Sequence, residues 1–350
     1  FDQRNTLALS YSLYDTEAEN SRTVGGLNSE SRGSGIDNTD HTIGVQFVST
    51  LGARSVNELR GLYRRSRFAA PVNDNNVPAV NIAGVANFGP ATFSPTARAL
   101  DLVQITDSFS ASFRDHTVKV GGEVLYNHVD ISFPGAIHGV YSFSGLDSFL
   151  GGNYSQYQQA FGPPDQEQHN PNPGVFAQDE WRLRKNLTLN LGIRYDIQYL
   201  SDPIQTDDNN IAPRFGFAYA FGKRSVIRGG FGLYFDRIPL RATSNALQRD
   251  GSRYFTAVIL QNADVAPTFP QTLDQPPGVL QTRPSVTRID PEIETGFAHQ
   301  GHLQFEHELP FDSRLSVGYQ YLRGLHLILS RNVNVPTCTD ASLNLCRPDP

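Results

Sequence analysis

The sequence predicts an all-β fold, an antiparallel transmembrane β-barrel of which about eleven strands are present. Three observations support this prediction. Apolar and polar residues alternate with a period of two over long stretches, prolines avoid those stretches, and the connections between them are alternately short and long. A period of two places successive side chains on opposite faces of a strand, whereas a helix would distribute them around its axis.

The alternation is clearest at residues 187–199, LTLNLGIRYDIQY, where every second side chain is apolar. Thirteen residues exceed the usual length of a strand in a soluble protein. Similar stretches predict strands at 4–15, 40–49, 55–67, 101–114, 116–133, 174–183, 187–199, 213–221, 225–236, 297–309 and 314–325. Of the 22 prolines, only Pro213 lies within these strands, at a first position, where the missing N–H matters least.

The connections indicate which kind of sheet this is. Those at 50–54, around 115, 184–186, 222–224 and 310–313 are short, and 200–212 is of medium length. Those at 16–39, 68–100, 134–173 and 237–296 are long and rich in Gly, Pro, Asn, Asp and Ser, as solvated loops are. Short periplasmic turns and long extracellular loops are typical of outer-membrane barrels. The strands that leave short turns therefore run outward, and their aromatic residues suit a girdle at the outer interface: Tyr195, Tyr199, Phe231, Phe235, Tyr319 and Tyr321.

Composition excludes other classes of protein. No apolar run approaches the roughly 18 residues that a membrane-spanning helix needs. A net charge of −6 argues against a nucleic-acid partner. The chain has no Met, so we expect Phe1 not to be a translation start and the chain to be a piece of a longer protein.

Five segments carry a family resemblance. They are HTVKVGGEV (116–124), GVYSFSG (139–145), VFAQDEWRLRKNLTLNLGIRYD within 175–199, NNIAPRFGFAYAFGKRSVIRGGFGLYFDRI (209–238) and HLQFEHELPFDSRLSVGYQYLRGLHLILSRNVN (302–334). In this order they resemble the barrel of TonB-dependent outer-membrane receptors, in particular the Oar-like branch. The resemblance covers most of the strands and turns between residues 100 and 335, and little of the long loops.

The resemblance implies more than the periodicity does. Such receptors close about 22 strands around a plug domain. We therefore expect residues 1–350 to be part of one outer-membrane β-barrel domain in a bacterial cell, without the plug domain and the signal sequence. The implied function is energised uptake of an unidentified solute, with no enzymatic activity and no cofactor. The implied partners are outer-membrane lipid, the protein's own plug domain, a TonB-type inner-membrane complex and the solute.

Three alternatives remain open at this point. A passive outer-membrane channel would share the wall but lack a plug. An adhesin or surface-assembly barrel would use the long loops to bind other cells. In a soluble β-sandwich module that binds carbohydrate, the aromatic residues would lie in the protein core and not at a membrane interface.

Candidate site residues follow from the facing of the strands. Charged residues opposite the apolar rows should point into the lumen, since Arg or Lys facing lipid at the midplane costs roughly 2–4 kcal/mol. The predicted lumenal charge network comprises Glu123, Arg194, Asp196, Arg214 and Arg228. In the longest loop, Tyr254, Phe255 and Phe269 are candidates for substrate contact. Cys338 and Cys346 follow the last strand on the oxidising cell surface, where we expect a local disulfide.

Metal and catalytic motifs are weak. His299, His302 and His307 do not converge on one strand face, and no HExxH occurs. The acidic clusters at 37–40, 73–76 and 207–210 lack the spacing of a calcium loop, and turns favour the same residue types. GGFG at 229–232 opens no helix, and no GxSxG motif is present. We therefore predict no catalytic, cofactor-binding or metal residues.

Overall fold

The computed structural model describes residues 4–76, 78–251, 253–278 and 286–335. These ranges contain sixteen strands, two α-helices and a 3-10 turn at Glu30–Arg32. The strands are β1 (Asn5–Arg22), β2 (Ser34–Thr50), β3 (Ser55–Ala70), β4 (Ala79–Ile82), β5 (Ala86–Phe88), β6 (Thr96–Phe113), β7 (His116–Ser132), β8 (Val140–Phe143), β9 (Gln156–Phe161), β10 (Asp165–Arg184), β11 (Leu187–Asp196), β12 (Ile211–Phe221), β13 (Ser225–Phe235), β14 (Phe255–Ile259), β15 (Phe297–Leu309) and β16 (Ser313–Leu325). The helices are α1 (Leu146–Leu150) and α2 (Leu240–Gln248). Neither helix in these ranges has the length and apolarity to cross a bilayer.

Eleven strands form one antiparallel sheet, which we call the wall sheet. Its order is β1-β2-β3-β6-β7-β10-β11-β12-β13-β15-β16, so each wall strand pairs with the next wall strand along the chain. All eleven predicted strands are present in this sheet. The predicted fold class is thereby confirmed. The five connections predicted to be short all lie at the same end of the wall sheet.

Several wall strands are longer at their outer ends than predicted. β1 extends to Arg22, β2 starts at Ser34 and β10 starts at Asp165. Alternation is lost there because both faces are polar or covered by loops. The expectation that only one proline lies within a strand is wrong, since β10 contains Pro171 and Pro173. Their carbonyls accept hydrogen bonds from the amides of Tyr199 and Ile197, beyond the end of β11, so the missing N–H groups interrupt no ladder.

The two faces of the wall sheet differ in chemistry. One cross-strand row contains Leu9, Val45, Gly61, Ile105 and Val124, and its large apolar side chains are exposed. The neighbouring row on the opposite face contains Ala8, Gln46, Arg60, Thr106 and Glu123. Exposed apolar rows on one face and polar rows on the other match a membrane wall with lipid outside and water inside. We call these faces outward and inward.

Two aromatic levels bound the outward face of β7 and β10. Tyr126 pairs with Pro171 at the outer level, and His116 pairs with Trp181 at the inner level. Ten residues separate the levels on each strand, which is about 33 Å along the chain. With the usual barrel tilt of about 40° this corresponds to roughly 25 Å, the height of the apolar band in outer-membrane barrels.

The long loops are not simply solvated connections. β14, β9, β8, β4 and β5 form a second, five-stranded sheet in that order, which we call the loop sheet. Three long connections supply these strands, and β4 pairs with β8 in parallel. The loop sheet has its own apolar core of nine buried residues: Val80, Ile82, Tyr141, Phe143, Tyr154, Tyr157, Phe161, Ala257 and Ile259. The expectation that these loops are merely solvated is therefore wrong for the described residues.

Candidate functional site at the inward face and the outer mouth

An ionic cluster lies on the inward face near the outer end of the wall. Arg194 on β11 donates to both carboxylate oxygens of Asp196, at 2.7 and 2.6 Å, and to Glu123 Oε1 on β7 at 3.0 Å. Arg237, just after β13, donates to the same Glu123 oxygen at 3.3 Å. The cluster therefore joins β7 and β11 across the intervening β10 and anchors the start of the longest loop.

Gly174 on β10 makes this cluster sterically feasible. It pairs with Glu123 on one side and with Asp196 on the other. A Cβ at this position would lie within 2.3 Å of Asp196 Oδ1 and 2.9 Å of Arg194 Nη2. A larger residue would thus occupy the space through which the guanidinium reaches Glu123.

The other two predicted lumenal charges lie elsewhere on the inward face. The guanidinium of Arg214 lies over the ring of Tyr234, 4.5 Å from its centroid. Arg228 Nη1 lies 2.8 Å from Glu306 Oε2 on β15. The structure thus brings together Glu123, Arg194 and Asp196 and holds Arg214 and Arg228 in separate contacts.

Sequence reasoning missed the partners Arg237, Tyr234 and Glu306. The alternation of β13 and β15 places Tyr234 and Glu306 on the same face as Arg228. However, the pairing of Val226 with Glu306 is what brings the carboxylate to Arg228, and that register is not readable from one strand alone. Arg237 follows the strand, where no periodicity predicts its direction.

A hollow of about 640 Å³ lies against the middle of the wall. Its inward-facing lining includes Lys119, Asn190, Arg214 and His302. Gly216 and Gly230 open this space, because they have no side chains. They are paired inward positions on β12 and β13, and the row continues to Asn190 on β11 and to His302 on β15. A Cβ at Gly230 would come within 2.9 Å of the His302 ring. The lining of the hollow is mixed: it includes the cations Lys119 and Arg214, the carboxylates Asp179 and Glu180, and apolar side chains. It can therefore accept groups that form hydrogen bonds.

Helix α2 packs over the inward face at the outer mouth. Gln168 on β10 is buried, donates to Ser244 Oγ at 2.7 Å and accepts from Thr243 Oγ1 at 2.5 Å. Gln198 donates to the carbonyl of Ile238 and accepts from its amide, at 3.0 and 2.7 Å. These satisfied, buried amides fix the start of the longest loop above the lumen instead of leaving it in solvent.

The three aromatic residues predicted to contact substrate belong to the interior of the loops. Tyr254 is 4% exposed, and its hydroxyl donates to the carbonyl of Pro134. Phe255 and Phe269 pack against the loop-sheet core. The ring and hydroxyl of Tyr254 are thus occupied by contacts within the loops. Contact of a solute with Tyr254, Phe255 or Phe269 stays a prediction.

Tyrosine hydroxyls fasten the longest loop to the loop sheet. Tyr141 donates to the Gln271 carbonyl at 2.5 Å, and Tyr154 donates to the Pro267 carbonyl at 2.7 Å. Burial raises the pKa of Tyr157 to about 12, and burial also raises the pKa of Tyr254 to about 12. These phenols therefore remain neutral donors at physiological pH.

The remaining predicted residues form no joint site in the described ranges. Cys338 and Cys346 lie outside the described residues, so their disulfide stays a prediction. His307 and His299 point outward, with His307 Nδ1 2.8 Å from Ser225 Oγ, whereas His302 points inward. The three histidines therefore do not converge.

Comparison with known proteins shows where this architecture recurs. A family model described as an outer membrane beta barrel domain matches residues 1–202 and 198–350. A curated relative, the TonB-dependent transporter Oar of Myxococcus xanthus, is 35% identical over 80 residues, which are 21% of this chain and 7% of that protein. The predicted resemblance to TonB-dependent receptors is thereby confirmed.

Solved structures share the fold at low sequence identity. The outer membrane transporter YddB from Escherichia coli superposes with a TM-score of 0.63 at 13% identity, over 92% of this chain and 38% of that chain. The siderophore receptor PirA from Pseudomonas aeruginosa superposes with a TM-score of 0.52 at 10% identity, over 92% of this chain and 43% of that chain. The chain therefore spans less than half the length of each of these relatives.

Proposed function

The chain belongs to the outer membrane beta barrel domain family and lies in the bacterial outer membrane, and we propose that it forms part of the barrel wall of a receptor. This receptor would carry out energised, TonB-dependent uptake of a solute. The observation that carries this proposal is the sequence match to the TonB-dependent transporter Oar. The fold shared with YddB supports a receptor-type wall. Since the match covers only 7% of Oar, the solute and the partners of the whole protein belong to the proposal.

In this proposal each face of the wall and the loops have a separate role. The outward apolar rows contact lipid, and the loop sheet with α2 partly covers the outer mouth and meets the solute first. The inward polar face, with Arg194, Arg214 and Arg228, faces the plug domain of the same protein. A TonB-type complex of the inner membrane supplies the force that rearranges the plug. The solute passes without any bond being made or broken.

The test compares three strains grown in a defined medium: the parent, a deletion of this gene and a deletion of the TonB gene. Mass spectrometry of the spent medium follows the depletion of metal chelates, peptides and oligosaccharides. The proposal predicts a solute that the parent depletes and that both deletions leave behind. Complementation with the full-length gene should restore its depletion.

Two other results would reject the proposal. A solute whose depletion needs this gene but not TonB indicates the passive channel. Unchanged depletion in the gene deletion, together with loss of attachment to other cells, indicates the adhesin.

A further inference from the structure

A cluster of metal-ligand side chains lies on the outward face of the wall, away from the lumen. His128 on β7 pairs directly with His169 on β10, and Glu167 lies two residues from His169 on the same face. One ligand atom from each lies within 4.8 Å of the others, and this is the one such group in the described ranges. Periodicity alone does not reveal this cluster, because the two histidines lie 41 positions apart in the chain and only the register of β7 and β10 brings them together.

The two imidazoles and the carboxylate already lie close together. Their rings stack 4.6 Å apart at an interplanar angle of 5°. Glu167 Oε1 lies 2.7 Å from His128 Nε2 and 3.0 Å from His169 Nε2. Both Nε2 atoms therefore lie close to one carboxylate oxygen, and His128 Nε2 is hydrogen-bonded to it. Because the two ring planes are nearly parallel, a rotation of one imidazole together with Glu167 would admit an ion among the three.

A second group orients one of the ligands. The Tyr126 hydroxyl lies 2.7 Å from His169 Nδ1. A hydroxyl either donates or accepts, so it can accept a hydrogen bond from Nδ1–H when Nε2 coordinates a metal. Partners of this kind fix the tautomer of metal-ligating histidines.

The surrounding charge favours a cation. Asp130 Oδ1 lies 3.7 Å from His128 Nε2. Arg65 and Arg67 lie two strands away on the same face, and both face Asp101, at 3.9 and 3.1 Å. Among the ion pairs of the described residues, neither Glu167 nor Asp130 has an arginine or lysine partner. Their negative charges are therefore available to a bound cation.

The ligand set selects the kind of ion. Two imidazole nitrogens and a carboxylate suit Zn²⁺ and similar transition-metal ions, whereas Ca²⁺ and Mg²⁺ require oxygen ligands. The cluster lies just beyond the Tyr126–Pro171 level, in the interfacial layer, where water completes the coordination. We propose that His128, Glu167 and His169 form a Zn²⁺ site on the outward rim of the wall, linking β7 to the outer extension of β10. This differs from the sequence-based expectation of no metal residues, and it does not depend on the proposed transport function.

The experiment measures Zn²⁺ binding to the purified full-length protein in detergent by isothermal titration calorimetry, with Mg²⁺ as the comparison ion. The matched control is His41→Ala. His41 lies on the same outward face and contacts Tyr11 as His169 contacts Tyr126, but no second histidine pairs with it. Heat-modifiable gel mobility confirms that each variant is folded.

The site predicts one equivalent of Zn²⁺ per chain and no Mg²⁺ binding. His128→Ala and His169→Ala should each abolish saturable binding, and Glu167→Gln should weaken it. Tyr126→Phe should weaken binding by about tenfold, because it removes only the orienting partner, and His41→Ala should leave it unchanged. Absence of Zn²⁺ binding by the folded protein overturns the proposal, as does binding that survives both His128→Ala and His169→Ala. An equal loss in His41→Ala would show nonspecific histidine binding and would overturn it as well.

Discussion

A charged side chain on the outward face needs a partner on the neighbouring strand. Asp179 breaks the alternation of β10, since it lies on the same face as Val175 and Trp181. Its Oδ2 lies 2.7 Å from His116 Nδ1, and the His116 ring stacks on Trp181 at 5.3 Å. This pair lies near the inner aromatic level, where water and headgroups reduce the cost of a charge. The irregular position is thus explained by its cross-strand contact.

A new charge without a partner should be costly on this face. Ile193 is outward and pairs with Ala177 and Pro213 near the middle of the apolar band. Ile193→Arg should lower stability by about 2–4 kcal/mol and reduce assembly into the outer membrane. Leu191 is a poorer test, because its partner Asp179 could neutralise an introduced arginine.

The matched control is Asn190→Arg, which places the same charge on the inward face beside Glu180. We expect it to assemble normally. Heat-modifiable mobility of outer-membrane fractions measures both variants. Equal assembly of the two would contradict the facing assigned to β11.

Removal of the central cation of the ionic cluster should destabilise the wall. Arg194→Met leaves the carboxylates of Asp196 and Glu123 close together, with Arg237 as the remaining contact of Glu123. The expected loss is about 1–3 kcal/mol, as for hydrogen bonds to partly buried charged groups. Urea unfolding followed by gel mobility measures the loss.

The control for this prediction is Arg60→Met. Arg60 also bonds a carboxylate, Glu58, but its side chain is 62% exposed, so its loss should cost less than about 1 kcal/mol. A larger loss for Arg60→Met than for Arg194→Met would reject a structural role of the ionic cluster.

At the scale of elements, the wall strands were predictable and the loop strands were not. Each wall strand carries its own alternation, because one face meets lipid along much of its length. The loop strands have three to six residues, and their partners lie in other loops, as in the pairing of β4 with β8. Strands this short, with partners far away in the sequence, show too little periodicity to be distinguished from irregular loops. The Gly, Pro and Asn residues around them favour the interpretation as solvated loops, which is wrong for these strands.

The loop sheet should open at alkaline pH. The pKa values of Tyr157 and Tyr254 are about 12 in the folded protein, above the value of about 10 for an exposed phenol. Their contribution to stability is fully present below pH 10 and is lost as the pH rises through about 12, because the open chain releases these protons first.

Tyrosinate absorbance, measured together with protease cleavage in residues 237–296, follows this opening. Cleavage should rise in the same pH window, while the wall keeps its heat-modifiable mobility. Tyr157→Phe should shift the opening to higher pH. Titration of every tyrosine near pH 10 without cleavage would contradict the burial of these phenols.

A charge in the loop-sheet core should affect the loops without unfolding the wall. Ala257 on β14 is fully buried among the aromatic residues of the core. Ala257→Glu should make residues 237–296 sensitive to protease in intact cells, since burying an unpaired carboxylate is costly. The control is Gln261→Glu, just after β14, where the side chain is exposed. Loss of wall assembly in Ala257→Glu alone would show that the two sheets do not fold independently.

At the scale of the whole molecule, the polar inward face of the wall indicates a lumen. Inward charges such as Arg194 were predictable from alternation, whereas their partners depended on strand register. α2 packs over the inward face at the outer mouth, and the inward face below it carries polar and charged side chains such as Lys119 and Arg214. A passive channel would leave that lumen conducting, whereas a receptor fills it with a plug.

The most direct test of the receptor account is the conductance of the full-length protein in a planar lipid bilayer. The account predicts no steady open current from the complete protein and a large steady current from a variant that lacks the plug but retains the wall. The plug-deleted variant also shows that inserted protein is present in the bilayer. A large steady current from the complete protein would contradict the account and indicate a passive channel.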